Sequence, residues 1–342
     1  MTAVVILNWN GKSLLEKFLP SVIAYTDTDS ARIIVADNAS TDDSVAFLRE
    51  NFPQIEILES DRNYGYAEGY NRALAQIDAK YAVLLNSDVE VTENWLAPLV
   101  EYMDKNPEIT ACQPKIKSQR NKAFFEYAGA CGGFIDKYGY PFCRGRIFDT
   151  VEKDNLQYEN IIDILWASGA CMFIRLADFK AAGGFDSRFF NHMEEIDLCL
   201  RLKARGKRIV CFPQSVVYHV GAATLNAENP KKTYLNFRNN LLMIYKNFPE
   251  KSLSKVLMIR RLSDFLAAAV FFLKGKPADA KAVFKARKDF NRMKNEYKNN
   301  RSENISGTIG ENIPEIYAGS ILIDYYMKRR KEFKELCPNN IF

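Results

Sequence analysis

The sequence predicts an α/β fold: a Rossmann-like, mostly parallel sheet with helices on both faces, followed by a helical C-terminal extension. Three observations predict it. Short β-rich runs alternate with stretches long enough for crossover helices over residues 1–116. Clusters of Asn, Asp and Ser follow the strand candidates directly, and the charge balance changes sign near residue 230.

The strand candidates are residues 3–7, 32–36, 55–58, 81–85 and 109–113. Alternation of this kind implies a sheet covered on both faces, in which ligands gather beyond the carboxyl ends of the strands. The polar clusters fall there: Asn8-Trp9-Asn10-Gly11 after the first strand, Asp37-Asn38-Ala39-Ser40-Thr41-Asp42 after the second, Asn86-Ser87-Asp88 after the fourth. Residues 118–160 mix Gly, aromatic and charged residues without a period, and read as irregular loops and short hairpins of the kind that face an acceptor. A helix from about 194 to 205 and a strand ending near His219 follow. Beyond Pro230 the pattern is helical and basic, interrupted by a polar stretch, 295–312, that reads as a mobile linker. The organisation expected is a catalytic domain over 1–230, with a nucleotide-binding half (1–116) and an acceptor-binding half (117–230), then an extension over 231–342.

A chain of 342 residues with 47% hydrophobic residues buries a full core. The net charge of +5 hides an asymmetry: residues 231–342 carry 23 Lys and Arg against 11 Asp and Glu, leaving 24 against 31 in residues 1–230. No signal peptide precedes the first strand, so a cytoplasmic location is expected. Seven scattered cysteines without a Cys-x-x-Cys pair argue against a zinc knuckle or a disulfide framework.

The densest chemistry lies in Asn191-His192-Met193-Glu194-Glu195-Ile196-Asp197, three carboxylates within four positions. At helical spacing Ile196, Leu198, Leu200 and Leu202 anchor the segment, which sets Glu194 and Glu195 in the first turn, where the dipole favours anions. A carboxylate against apolar walls is a candidate general base. The plainer alternative is an acidic first turn that only complements the dipole. The upstream context, Trp166-Ala167-Ser168-Gly169-Ala170 and then Gly183-Gly184-Phe185-Asp186, resembles the second half of the catalytic domain of inverting family 2 glycosyltransferases, in the rhamnosyltransferase-like branch. The resemblance implies the two-subdomain α/β fold called GT-A, with Trp166, Gly169 and Ala170 on the acceptor side. It also implies that a Glu-Asp pair opening the helix supplies the base. Glu195 stands in the Asp place, so Glu194, Glu195 and Asp197 all remain candidates.

The earlier clusters match the same family in order. The resemblance assigns Asp37 to the imide N–H of a uracil or thymine base, a choice that suits an acceptor-only carboxylate; the bland reading is a turn aspartate. Asn8, Asn10 and Asn38 join it on the donor side. Asn63-Tyr64-Gly65-Tyr66-Ala67 resembles the family segment whose small residues let a helix start, with free N–H groups, approach the sugar or diphosphate; Asn63 and Gly65 are the candidates. Asn86-Ser87-Asp88 resembles the family's Asp-x-Asp motif, with Asn86 and Ser87 toward the donor and Asp88 as ligand of Mg2+ or Mn2+. The second ligand implied is His219, against the commoner role of a hydrogen-bonded core histidine. Arg238 matches the family's Arg-Asn segment beside the diphosphate.

The function expected is transfer of a sugar, rhamnose or a similar one, from a dTDP- or UDP-sugar to a hydroxyl of a glycan or lipid-linked glycan in cell-surface polysaccharide synthesis. Two other classes stand beside it. A nucleotidyltransferase needs a Gly-rich basic phosphate loop that Asn8-Trp9-Asn10-Gly11 does not supply; a noncatalytic sugar-nucleotide or carbohydrate-binding scaffold accommodates Asn86 and Glu195 as departures. Nucleic acid is not expected as a partner, because the basic residues lie outside the cleft. Residues 262–273 are strongly apolar between Arg260-Arg261 and Lys274-Gly275-Lys276. They suit an interfacial helix on an anionic membrane as well as a helix packed on protein or on a second copy. The oligomeric state is open.

Overall fold

The computed structural model describes residues 1–221, 229–310 and 312–336; Cys337 lies outside them. The chain begins with β1 (Thr2–Asn8), α1 (Lys12–Tyr25), β2 (Ala31–Asp37), α2 (Ser44–Asn51), β3 (Glu56–Glu59), α3 (Gly65–Ala75) and β4 (Tyr81–Asn86). β5 (Val89–Val91), α4 (Ala97–Lys105) and β6 (Ile109–Ser118) follow. The five predicted strands are all present, and β3, β2, β1 and β4 pair parallel in that order. Strict alternation explains the layering. Ala3 and Val5 face one core with Ile34, Ala36 and Leu84, whereas Val4 and Ile6 face the other with Ile33, Val35 and Val83. α1 covers the second face through Leu15, Leu19 and Val22, and α3 covers the first through Ala67, Tyr70 and Leu74.

The short hairpins expected in the middle of the chain are present, and they join into a sheet. β7 (Gly133–Asp136), β8 (Pro141–Cys143), β9 (Arg146–Ile147) and β10 (Thr150–Val151) form a second sheet by antiparallel pairing. Its aromatic residues Phe134 and Phe142 are fully buried, so the aromatic richness of 118–160 is core rather than ligand-facing surface. Then come β11 (Ile162–Asp163), β12 (Cys171–Arg175), α5 (Leu176–Ala181), α6 (Glu194–Ala204) and β13 (Arg208–His219). β12 enters the large sheet antiparallel between β4 and β6, and β13 lies parallel to β6. The large sheet therefore runs β11-β13-β6-β12-β4-β1-β2-β3, with β5 on β13.

The extension consists of α7 (Pro230–Asn247), α8 (Glu250–Leu273), α9 (Pro277–Met293), α10 (Lys298–Ser306), β14 (Ile316–Tyr317) and α11 (Phe333–Leu336). Most of the stretch expected as a linker is structured. α10 packs on α7, where Arg301 donates to the Phe248 carbonyl at 2.8 Å and pairs with Glu250 at 2.5 Å. Asn304 donates to Asn247 at 3.0 Å. Low hydropathy concealed these contacts because they are polar. β14 pairs parallel with β7 and so completes the small sheet. Of the cysteines, Cys112, Cys131, Cys143, Cys171, Cys199 and Cys211 are buried free thiols.

Candidate active site

Parallel register sets the carboxyl ends of β1, β2 and β4 side by side, with Asn8 opposite Asp37 and Leu7 opposite Asn86. Asp37 is buried and accepts from Asn8 Nδ2 at 3.0 Å, the Ser40 hydroxyl at 2.6 Å and the Ser40 amide at 2.8 Å. An ionised carboxylate offers about four acceptor positions, so one is left for an incoming N–H. Asn8 Oδ1 beside it is buried without a partner. Asn10 fastens the loop to the next one, its Oδ1 accepting the Thr41 amide at 2.7 Å. Asn38 acts as a clamp: its Oδ1 accepts from the Tyr64 amide at 3.0 Å, and its Nδ2 donates to Asn63 Oδ1 at 3.1 Å and to the Gly65 carbonyl at 2.9 Å.

The start of α3 departs from expectation. The amides of Tyr66 and Ala67 are not free, because both donate to the Phe190 carbonyl, at 2.7 and 3.2 Å. Gly65 has φ +75°, and a Cβ there would meet that carbonyl oxygen at 2.6 Å. Glycine is required so that the loop ahead of α6 can cap α3. The helix start thus positions the acidic loop.

Asp88 and His219 are both buried and converge, with Nε2 3.1 Å from the carboxylate. Asn86 Nδ2 lies 3.4 Å from the same nitrogen, and Ser87 is half-buried beside it. On the far side of the ring, Nδ1 faces buried Glu126 at 3.3 Å. Burial opposes the imidazolium, but the Glu126 and Asp88 carboxylates outweigh it and push the His219 pKa up to about 10. Carboxylate oxygen and imidazole nitrogen are donors that Mg2+ or Mn2+ accepts, and both side chains are held by their surroundings. These residues fit a divalent cation. Among the described residues no group of three or more His, Cys, Asp or Glu forms a closed cage.

α6 is entered through a constrained loop: Phe190, His192 and Met193 have φ of 65°, 71° and 73°, a region that L-residues rarely occupy. α7 holds it there. Asn239 Nδ2 donates to the carbonyls of Phe189, Asn191 and His192 at 3.0, 2.9 and 2.8 Å, and Arg238 donates to those of Arg188 and Phe189 at 3.0 and 3.1 Å. Arg238 is therefore committed to the loop. His192 is driven down to about 4 by burial and by Lys232, and its Nε2 has no partner.

The three carboxylates separate by environment. Asp197 is buried against Arg201 Nε at 3.1 Å, Lys246 Nζ at 2.8 Å and Asn247 Nδ2 at 2.8 Å. Its charge is answered within the core. Glu194 is buried, and desolvation with the neighbouring Glu195 raises it well above the usual carboxylate range. Glu195 is half-buried, and burial pushes it up to about 7 against the pull of backbone amides. Oε2 of each glutamate lacks a partner. Tyr66, whose hydroxyl donates to the Gly169 carbonyl at 2.7 Å, is held well above the usual phenol range chiefly by burial.

The acceptor-side candidates fall in different places. Trp166 is buried, donates through Nε1 to the Phe134 carbonyl at 2.9 Å and covers Gly133, so it joins the two sheets. Gly169 and Ala170 lie against the site, since the Ala170 carbonyl accepts from the Asn86 amide at 3.0 Å. Glu126, Asn239 and Tyr66 were not among the sequence-predicted site residues; Tyr66 carried a signal as the aromatic after Gly65, and Asn239 as the Asn of the Arg-Asn segment.

Residues 3–166 match the family described as Glycosyl transferase family 2. The N-acetylglucosaminyl-diphospho-decaprenol L-rhamnosyltransferase of Mycobacterium tuberculosis is 26% identical over 253 residues, 68% of this chain and 82% of its own length. Rhamnosyltransferase WbbL of Escherichia coli is 24% identical over 228 residues, covering 64% of this chain and 83% of its own. The solved structure of GalNAc-T7 with UDP, GalNAc and Mn2+ superposes with a TM-score of 0.58 at 17% identity, over 92% of this chain and 58% of that longer one. At that identity the likeness speaks for the fold.

Proposed function

This chain is a family 2 glycosyltransferase of the GT-A fold, and from that premise we propose that it inverts the anomeric centre of a dTDP- or UDP-sugar, a rhamnose donor by preference, while joining it to a hydroxyl of a lipid-linked glycan. The observation that carries the reading is the Glu195 carboxylate at about 7 with its Oε2 unpartnered, set beside a Glu194 held well above the usual carboxylate range and away from the ion-paired Asp197. A base near neutrality is half ionised when it must take a proton, which matches its strength to its task. Glu195 removes the proton of the acceptor hydroxyl, and that oxygen bonds to the anomeric carbon from the face opposite the departing diphosphate. Glu194 stays protonated and leaves only one carboxylate charge in the pocket.

On the donor side, Asp37 accepts the imide N–H of the base and Asn8 Oδ1 supplies a second fixed acceptor. Asp88 and His219 would hold a divalent cation, which when bound neutralises the charge that grows on the leaving diphosphate. On this reading Asn86, 3.4 Å from His219 Nε2, and Ser87 face the donor. The rhamnose preference and the lipid-linked acceptor draw support from the printed activity of the mycobacterial relative. Among the described residues no helix is long and apolar enough to cross a membrane; on this proposal the acceptor is met at the inner membrane surface. The test is a panel of dTDP-, UDP- and GDP-sugars with Mn2+ or Mg2+, scored for donor hydrolysis by the wild type and by Glu195→Gln. Turnover of a dTDP- or UDP-sugar that falls in the variant supports the proposal; binding without turnover of any donor would favour a scaffold.

A further inference from the structure

α8 is amphipathic in an unusual sense. Its inward stripe, Leu253, Val256, Arg260, Asp264 and Ala268, is buried. The outward stripe is apolar as well: Met258, Leu262 and Leu266 are 60–67% exposed, Phe272 66% and Leu273 83%. Spacings of three and four residues bring these onto one side of the helix. Phe265, Val270 and, across from α9, Phe284 extend the patch. A contiguous exposed apolar surface of this length marks a place of contact.

The charges on α8 and α9 say what the contact is with. Their acidic residues face inward or sideways to partners: Glu250 to Arg301, Asp264 to Arg260 and Arg287, Asp279 to Thr233 and Asp289 to Tyr234. The exposed charged residues are mostly cationic, among them Lys255, Arg261, Lys274, Lys281, Lys285 and Lys288. A second copy docked face to face would oppose these cations to themselves. An anionic bilayer complements them, with the apolar residues entering the headgroup boundary. Asp264, paired with Arg287 of α9, and Arg260, which donates to the Tyr138 carbonyl at 3.2 Å and to Asn240, pin the helix to the protein, a geometry for lying on a membrane rather than spanning it.

One cleft sharpens the match. Arg261, Phe265, Phe284, Arg287 and Asn291 line a space of about 290 Å³ between α8 and α9. Arg287 is paired with the single carboxylate below, Asp264, which also faces Arg260, so two guanidiniums share one acid and the exposed Arg261 adds a third positive charge at the cleft. Guanidinium pairs bind phosphate through parallel N–H bonds, and the two phenylalanines give the cleft an apolar wall. We propose that the α8–α9 face docks on an anionic phospholipid bilayer, with this cleft taking up a headgroup phosphate. Its use rests on the lipid-linked acceptor proposed above. The face also connects to the site: Arg260 donates to Asn240, and the next residue, Asn239, holds the loop that carries Glu194 and Glu195.

The test is co-sedimentation of the full chain with vesicles of phosphatidylcholine alone or mixed with phosphatidylglycerol, at low and high salt, with inorganic phosphate as competitor. Wild type, Leu262→Asp/Leu266→Asp and Arg261→Glu are compared; all three sites are exposed, and the thermal midpoint of each checks the fold. Expected are binding to the anionic vesicles only, release by salt rather than by low phosphate, and at least a tenfold loss in both variants. Absent binding, or binding abolished by low phosphate alone, overturns the proposal. So does sedimentation velocity showing a dimer that Leu262→Asp/Leu266→Asp dissociates. Transfer to a soluble acceptor, assayed in parallel, separates the two ideas: activity without vesicle binding removes only the docking surface, and binding without activity removes only the reaction.

Discussion

At Glu195 two demands oppose each other, because a general base must ionise and burial resists ionisation. Its folded pKa of about 7 lies above the ordinary 4.5. Stability associated with the neutral form is therefore complete below about 4.5 and is lost as pH rises through about 7. Glu195→Gln should cut turnover by about 10²-fold or more while leaving donor affinity unchanged. The same variant should melt close to wild type at pH 5 and above it at pH 8; an equal difference at both pH values would deny that the carboxylate is strained by ionisation. Glu194→Gln, which mimics a group already protonated, should lose far less activity. The pair proposed to hold the cation, Asp88 and His219, has linkage of the same sign in a higher pH window. His219 without a cation is an imidazolium up to about 10, and its ion pairs stabilise the fold below about 6.5 and are lost above about 10. Cation uptake must displace that proton, so titration calorimetry in buffers of different ionisation enthalpy should show proton release. Asp88→Ala and His219→Ala should each weaken Mn2+ uptake. Unchanged affinity in both folded variants would remove them as ligands.

Elements, rather than isolated side chains, decide where the carboxylates point. The sequence places α6 and the end of β13 within a residue or so because apolar spacing and a β-rich run are local signals. The partner of each acidic residue was not local. Asp197 belongs to the same helical turn as Glu194, yet Lys246 and Asn247 of α7 claim it. The amides that open α3 looked free until the Phe190 carbonyl was seen to cap them. Asn239 is the clearest case, a single amide bonded to three carbonyls of a loop with three left-handed residues. Each such bond contributes about 1 kcal/mol net, so Asn239→Ala should lose about 2–3 kcal/mol in denaturant unfolding. It should also lower turnover more than Arg238→Lys, which keeps a donor. A variant with wild-type stability and turnover would mean the loop holds its shape without α7.

For the whole molecule, the order of polar clusters along the chain made the parallel half of the sheet and its ligand edge legible, since each cluster follows its own strand. The antiparallel entry of β12 and the small sheet were not legible, because both depend on pairings between segments far apart in sequence. The extension shows the same limit: β14 completes the sheet of β7, Phe333 packs on Phe134 and Phe142, and Lys203 pairs with Glu315 at 2.5 Å. A chain ending at residue 230 should therefore lose cooperative unfolding or aggregate; a soluble, cooperative and active 1–230 fragment would show that the extension is dispensable to the fold. The central claim is that Glu195 drives a single displacement at the anomeric carbon. It is tested most directly by proton NMR of the glycosylated product formed from a donor of known anomeric configuration, with the wild type and Glu195→Gln run side by side. The account predicts an inverted linkage from the wild type and at least about 10²-fold slower formation of it by the variant. A retained linkage, or equal rates, would contradict it.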